Sequence, residues 1–163
     1  MASDKTPRRA RQTRPPLVPL KTAPQPTDAY DIAYFRRHRD DDPDEPVPGR
    51  EFISSCPTSV QAKLVAVLIA VAAAPPHRFS GGGFWEAMHD PMTGYHEVRV
   101  DGPRRQHYRL FCKLDTMAIG RGPLLTVLCG ASKPFQTEFS EAVYDRVLAL
   151  GREYLSRNPR SLA

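Results

Sequence analysis

Residues 95–115 read YHEVRVDGPRRQHYRLFCKLD, and residues 124–137 read LLTVLCGASKPFQT. In the first segment, apolar and polar side chains alternate on both sides of the turn sequence Asp101-Gly-Pro103, which is typical of two half-buried strands joined in an antiparallel hairpin. The second segment starts with a run, Leu124–Cys129, that is apolar on both faces and therefore suits an interior strand. The pattern predicts a small, antiparallel-rich β-sheet.

Alternation also divides the side chains of these strands between the two faces of the sheet. One face is apolar, with Val98, Val100, Tyr108, Leu110 and Cys112. The other face, which we call the polar face, carries Arg99, Arg109, His107 and Lys133. We expect the functional site on the polar face.

Aromatic and apolar residues alternate over residues 30–35, which predicts a short first strand. Proline, serine and asparagine mark the limits of three helices, at 50–55, from Pro57 to Ala74, and from Ser140 to the stop at Asn158-Pro159. We predict an α+β domain in which an N-terminal helical hairpin and a C-terminal helix pack on one face of the sheet.

The charge distribution separates an arm from a domain. Residues 1–28 hold six basic and two acidic side chains, so +4 of the net charge of +5 lies there and +1 remains for the other residues. We predict a disordered, basic, proline-rich arm over residues 1–28, one domain over 29–158 and a tail over 159–163. A basic sheet on a nearly neutral domain favours an anionic partner, above all nucleic acid.

Several classes of protein are disfavoured. The three cysteines have no CxxC spacing, which argues against disulfides or a zinc site and fits a cytoplasmic location. The acidic run Asp40–Glu45 lacks a calcium-loop pattern and is interpreted as a solvated loop. No metal or other cofactor is expected. The longest apolar run, Leu64–Ala74, has 11 residues, whereas a membrane span needs about 20. No membrane contact is therefore expected.

Metal-free cleavage of RNA would suit the polar face. The reaction needs a base for the 2′-hydroxyl, an acid for the leaving 5′-oxygen and cations around the phosphorane. Arginine suits the cation role because it stays charged and forks onto phosphate oxygens. The candidates for proton transfer are His107, His96, Tyr95 and Glu97, of which alternation puts His107 beside Arg109 and His96 on the apolar face. An exposed histidine without a role remains the alternative for His107.

Four segments occur in a recognisable order: REFISSCP at 50–57, YHEVRV at 95–100, YRLF at 108–111 and LTVLCGASKPFQT at 125–137. Together they resemble the RelE/HigB superfamily of toxins from type II toxin–antitoxin systems, in particular its HigB-like, phage-derived branch. The resemblance covers about residues 50–155 and implies a RelE-like fold.

The resemblance also implies a function. Members of the superfamily are ribosome-dependent mRNA endonucleases that inhibit translation and are held inactive by an antitoxin, often one with a helix-turn-helix domain. Residue by residue, it implies catalytic roles for Arg99, Arg109 and Lys133, to which we add His107. We expect RNA contacts from Arg104, Arg105, Lys113 and Tyr95.

Two alternatives remain open on the same fold. One is a non-catalytic toxin like those of the ParE branch, which bind DNA gyrase. The other is an inactive phage-derived remnant that only binds an antitoxin.

Overall fold

The computed structural model describes residues 29–74, 76 and 83–163, so the arm predicted for residues 1–28 lies outside the described part of the chain. The elements follow in the order β1 (Asp31–Tyr34), α1 (Pro48–Ser55), α2 (Thr58–Ala73), β2 (Trp85–Ala87), β3 (His96–Gly102), β4 (Gln106–Asp115), β5 (Leu124–Pro134) and α3 (Glu141–Leu155). A 3₁₀ turn, Pro103–Arg105, joins β3 to β4. The predicted strands and helices all form, and β2 is a short strand that the pattern did not indicate.

The five strands of the described ranges form one sheet in the order β1-β5-β4-β3-β2. The predicted hairpin is confirmed, because β3 pairs antiparallel with β4. Strand β4 also pairs antiparallel with β5, and β2 with β3. Only β1 runs parallel to its neighbour, β5, among these described pairs. The fold is therefore mixed α and β, with a mostly antiparallel sheet.

Helices α1 and α2 cover one face of the sheet. The inward side chains of α2 recur at three- and four-residue spacing and are buried: Val60, Leu64, Leu68 and Val71. They pack on the apolar face that alternation predicts, which is formed mainly by Val98, Val100, Leu110, Cys112, Leu125 and Val127. Burying a side chain of this size stabilises the fold by roughly 1.5–3 kcal/mol relative to leaving it exposed.

Helix α3 covers the opposite face, so our prediction that all helices pack on one face is wrong. Its inward side chains pack on the middle of β4 and β5, in a second core that includes Phe111, Leu128, Cys129, Val147, Leu150 and Tyr154. The pairing register shifts between Phe111 and Cys112, which marks a bulge, and both Leu128 and Cys129 belong to this second core. These strands are apolar on both faces at mid-length, so water must be excluded from both.

Residues 159–163, predicted to be a tail, pack on the domain instead. Leu162 forms an antiparallel bridge with Phe35. The Ala163 amide donates a hydrogen bond to the Tyr34 carbonyl at 3.0 Å. The last residues therefore extend the sheet edge next to β1.

A buried hydrogen-bond network fixes this C-terminal segment. The Arg160 Nε and the Tyr154 hydroxyl each donate to Asp115 Oδ2 at 2.7 Å, and the Met117 amide donates to Oδ1 at 2.8 Å. Burial by itself raises the pKa of Asp115, but these donors together hold its pKa below the usual value. Asp115 therefore remains an ionised carboxylate and ties β4, α3 and the C-terminus together.

The acidic loop lies at the surface, as predicted, and forms ion pairs. Asp42 pairs with Arg37 at 2.9 Å, and Asp41 pairs with Arg157. Over the described residues, no three His, Cys, Asp or Glu side chains are grouped so that they could hold a metal ion. None of the helices in these ranges is long and apolar enough to cross a bilayer.

We expect Asp115→Asn to lower the free energy of unfolding at neutral pH by about 3–5 kcal/mol, because it leaves the Arg160 charge buried without its partner. The folded-state pKa of Asp115 is depressed, so its contribution is present above the unfolded pKa of about 3.9 and is lost as the pH falls through the folded value. Urea unfolding across this range should show the difference between variant and parent shrinking toward acid pH.

The matched control is Asp145→Asn, which changes an exposed carboxylate on α3 and should alter stability by less than about 0.5 kcal/mol. A deficit for Asp115→Asn that does not depend on pH would contradict the assignment.

Candidate nucleic-acid site

The strand register places the predicted catalytic residues next to one another. Arg99 pairs directly with Arg109 across β3 and β4, and Asp101 pairs with His107. On the other side of β4, His107 pairs with Lys133 of β5. Directly paired residues have Cβ atoms about 4.5–5.5 Å apart. The prediction that these four residues share one face and lie together is therefore confirmed.

Arg109 is buried, although alternation puts it on the polar face of the sheet. The residue is only 5% exposed. Its Nη1 donates to the Tyr108 carbonyl at 3.1 Å, and no carboxylate of the described residues forms an ion pair with it. Burial, and next the nearby Arg99 charge, lower the pKa of Arg109, while Glu97 opposes them. Arg109 is thus a buried cation whose positive charge is only partly compensated by nearby carboxylates.

Arg99 has carboxylate partners, unlike Arg109. Its Nη1 lies 3.1 Å from Glu86 Oε2, and its Nε lies 3.3 Å from Glu97 Oε1. Burial raises the pKa of Glu97, and the charges of Arg109 and Arg99 work against that rise. The Glu97 carboxylate therefore interacts with the charges of both arginines. Glu86, on the short strand β2, forms an ion pair with Arg99.

His107 is held by two contacts. Its Nδ1 forms a short hydrogen bond with Asp101 Oδ1, and its ring stacks on Phe135 with centroids 4.2 Å apart. A carboxylate on one ring nitrogen fixes the orientation of the imidazole and leaves Nε2 for proton transfer. This arrangement favours the predicted role of His107 over that of an exposed histidine without a role.

Further cations border the cluster. Lys133 Nζ lies 4.8 Å from the centre of the Phe139 ring. Arg104 and Arg105 lie in the exposed 3₁₀ turn after β3, and the Arg105 guanidinium lies 5.6 Å from the centre of the Phe135 ring. Lys133 and the two turn arginines are therefore available for contacts with phosphates.

Two residues predicted to contact RNA, Tyr95 and Lys113, form packing contacts within the domain. Tyr95 is 7% exposed and packs on α3, where a Cβ on Gly151 would come within 2.1 Å of its hydroxyl. Lys113 Nζ donates to the Gly94 carbonyl at 3.2 Å and lies 4.2 Å from the centre of the Tyr95 ring. Both side chains therefore pack near the end of β4 that lies opposite the cluster.

His96 lies on the apolar face, as alternation predicts. Its ring stacks on Trp85 with centroids 4.8 Å apart. Burial, and next the Lys113 charge, lower the pKa of His96, which therefore remains neutral. It is excluded from the site.

Three residues of the site were not among the predicted candidates: Glu86, Asp101 and Tyr144. Asp101 could have been found, because a hairpin centred on the following turn puts it opposite His107. Tyr144 borders the cluster from α3, and its pKa is raised by burial and then by the Glu97 and Glu138 charges, with Arg109 opposing. No local signal identifies Glu86 or Tyr144, since both come from elements whose placement is not local.

Comparison with family models, with curated proteins and with solved structures finds no match for this chain. What the site can do therefore depends on the side chains described above. Two facing arginines, a carboxylate-held histidine and bordering cations are suited to binding a phosphodiester and moving a proton beside it.

We expect Arg109→Met to leave the free energy of unfolding unchanged or to raise it by about 1–2 kcal/mol, because it removes a buried, poorly compensated charge beside Arg99. Inorganic phosphate should raise the melting temperature of the parent protein, since an anion that binds only the folded state stabilises it. The same titration should leave Arg109→Met unaffected.

Sodium chloride at matched ionic strength controls for screening, and Arg121→Met controls for the loss of an exposed arginine. Equal phosphate stabilisation of the parent and of Arg109→Met would contradict an anion site at Arg109.

Proposed function

We propose that this chain is a metal-independent endoribonuclease, acting as the toxin of a type II toxin–antitoxin system on ribosome-bound mRNA. The observation that carries the proposal is the facing pair Arg99 and Arg109 beside His107, whose Nδ1 is bonded to Asp101.

The pair of arginines supports a phosphate ligand on energetic grounds. Like charges directly opposite in a β-ladder are destabilising, and burial of Arg109 adds a desolvation cost. A phosphate between the guanidinium groups would offset both costs, with each arginine donating two hydrogen bonds. In the free protein Glu86 and Glu97 bind Arg99 and so partly screen the pair.

The cleavage step follows from these positions. His107 Nε2 takes the proton of the 2′-hydroxyl, and the 2′-oxygen attacks the adjacent phosphorus. Arg109 and Arg99 stabilise the negative charge that builds on the phosphorane. The bond to the 5′-oxygen then breaks, and Lys133, which pairs with His107 across the strands, donates the proton to that oxygen.

The cellular setting is part of the same proposal. The sequence motifs and the order of strands and helices are consistent with a RelE-like fold, and the site's cations suit mRNA in the ribosomal A site. The protein would then work in the cytoplasm and would be held inactive by a cognate antitoxin, of the helix-turn-helix kind in the HigB-like branch.

A second candidate is a non-catalytic binder on the same fold, either ParE-like or an inactive remnant. The ion pairs of Arg99 with Glu86 and Glu97 favour it, because a neutralised arginine contributes less to a phosphorane. Expression of residues 29–163 in bacteria separates the candidates. Growth arrest with messages cut inside translated regions supports the nuclease, whereas arrest with intact messages supports the binder.

We expect Arg109→Ala to lower the single-turnover cleavage rate on programmed ribosomes by about 100-fold or more, the scale for removing one donor to a developing oxyanion. Arg109→Lys should recover little of this loss, because a point charge does not reproduce the two-pronged grip. Circular dichroism melting checks that the variants fold. A folded Arg109→Ala protein that cleaves at the parent rate would exclude Arg109 from the mechanism.

We expect His107→Asn to lower the same rate by roughly 100-fold or more, as for loss of a general base. Asp101→Asn should cost less, because it misorients the ring without removing it. His38 is a matched control, since its Nδ1 lies 3.3 Å from Asp40 Oδ2 in a second, separate His–Asp pair. Equal effects of His38→Asn and His107→Asn would contradict the assignment of the base.

A further inference from the structure

A groove of about 700 Å³ lies between α2 and the edge of β3, and its lining joins two kinds of surface. One side is apolar and is formed by Ala66 and Val67 of α2 with Phe84. The other side is polar and includes Arg99, His107 and Arg109 of the cluster described above. The groove therefore joins the proposed catalytic site to an apolar surface, which is formed by Ala66, Val67 and Phe84 and which we call the apolar wall.

The position of Phe84 is unusual for a large aromatic side chain. Its neighbour Trp85 belongs to the core and is only 5% exposed. Phe84, by contrast, is 52% exposed. Its carbonyl accepts a hydrogen bond from the Arg99 amide at 2.9 Å, so the backbone that carries the ring is fixed to β3 beside that arginine.

Cations surround this apolar wall. Arg99 and Arg109 lie on its sheet side, and Lys63 of α2 lies on its helix side. Lys63 Nζ donates to the Asp101 carbonyl at 3.3 Å, which links α2 to the end of β3 across the groove. A ligand that fits has a flat apolar part for Phe84 and an anionic part for the cations.

We infer, on the basis of the proposed RNA-cleaving function, that Phe84 is a base-stacking residue that holds one unpaired nucleobase while the adjoining phosphate lies on Arg99 and Arg109. A nucleotide of single-stranded RNA has both parts, a flat base and an anionic phosphate joined through one sugar. Aromatic side chains beside a positively charged groove are how proteins hold unpaired bases, and such stacking tolerates any base because each has a π-face. Phe84 would thus position the RNA and act on affinity, while His107 and Arg109 act on the chemical step.

The test uses an RNA that cannot be cut, so that binding is separated from cleavage. A fully 2′-O-methylated oligoribonucleotide of about six residues, a length within the range that such grooves hold, is titrated with the full chain by fluorescence anisotropy. Phe84→Ala should weaken binding by roughly 5- to 150-fold, the scale for losing one stacked base. Phe84→Tyr should bind within about twofold of the parent, because it keeps the ring.

A series of the same oligonucleotide, each with one abasic position, identifies the stacked base. At one position the abasic change should weaken binding to the parent, and there Phe84→Ala should cause no further loss. Ile119→Ala is the control for an exposed apolar side chain elsewhere, since Ile119 is 60% exposed in the segment between β4 and β5. It should bind like the parent.

Three results would overturn the inference: no RNA binding by the parent chain, parent-like binding by Phe84→Ala, or full retention by Phe84→Leu. The last would mean that any apolar side chain suffices at this position, so that no base stacks on the ring. Base-dependent binding through Phe84 without cleavage on programmed ribosomes would instead refute the proposed nuclease and leave the stacking role standing.

Discussion

The structure depends on the central pair of strands, β4 and β5, being apolar on both faces at mid-length. Leu110 and Val127 face α1 and α2, whereas Phe111 and Leu128 face α3. Helices must therefore lie on both sides, since each uncovered face would leave apolar area in water. Helix α3 covers the middle of the second face, and the polar cluster lies at the end of β4 next to the hairpin turn, where polar side chains replace the apolar ones.

This arrangement places positive charge where the fold gains little from it. Arg109 is buried beside Arg99 without an ion pair of its own among the described residues. At the other end of β4, by contrast, Asp115 and Arg160 form a fully compensated network. One buried arginine thus has a carboxylate partner, whereas Arg109 has none among the described residues.

The two carboxylates near Arg99 and the one beside His107 have different consequences. Asp101 fixes the orientation of the His107 imidazole, whereas Glu86 and Glu97 neutralise part of the charge of Arg99. A phosphate bound as proposed would have to displace those ion pairs, so Arg99 would contribute less to its binding than Arg109 for the same formal charge. The charge of Arg99 is therefore compensated in the folded chain, whereas that of Arg109 is compensated only in part.

The sequence by itself determined four of the five described strands, the hairpin and the face on which Arg99, Arg109, His107 and Lys133 lie. It could do so because alternation is a local property of an extended backbone: neighbouring side chains must point to opposite faces. Only the tertiary structure decided several other features. These are the packing of residues 159–163, the burial of Arg109 and Tyr95, the exposure of Phe84, and the positions of Glu86 and Tyr144 beside the cluster. Each of these depends on which distant element covers a given patch of sheet, and no local period carries that information.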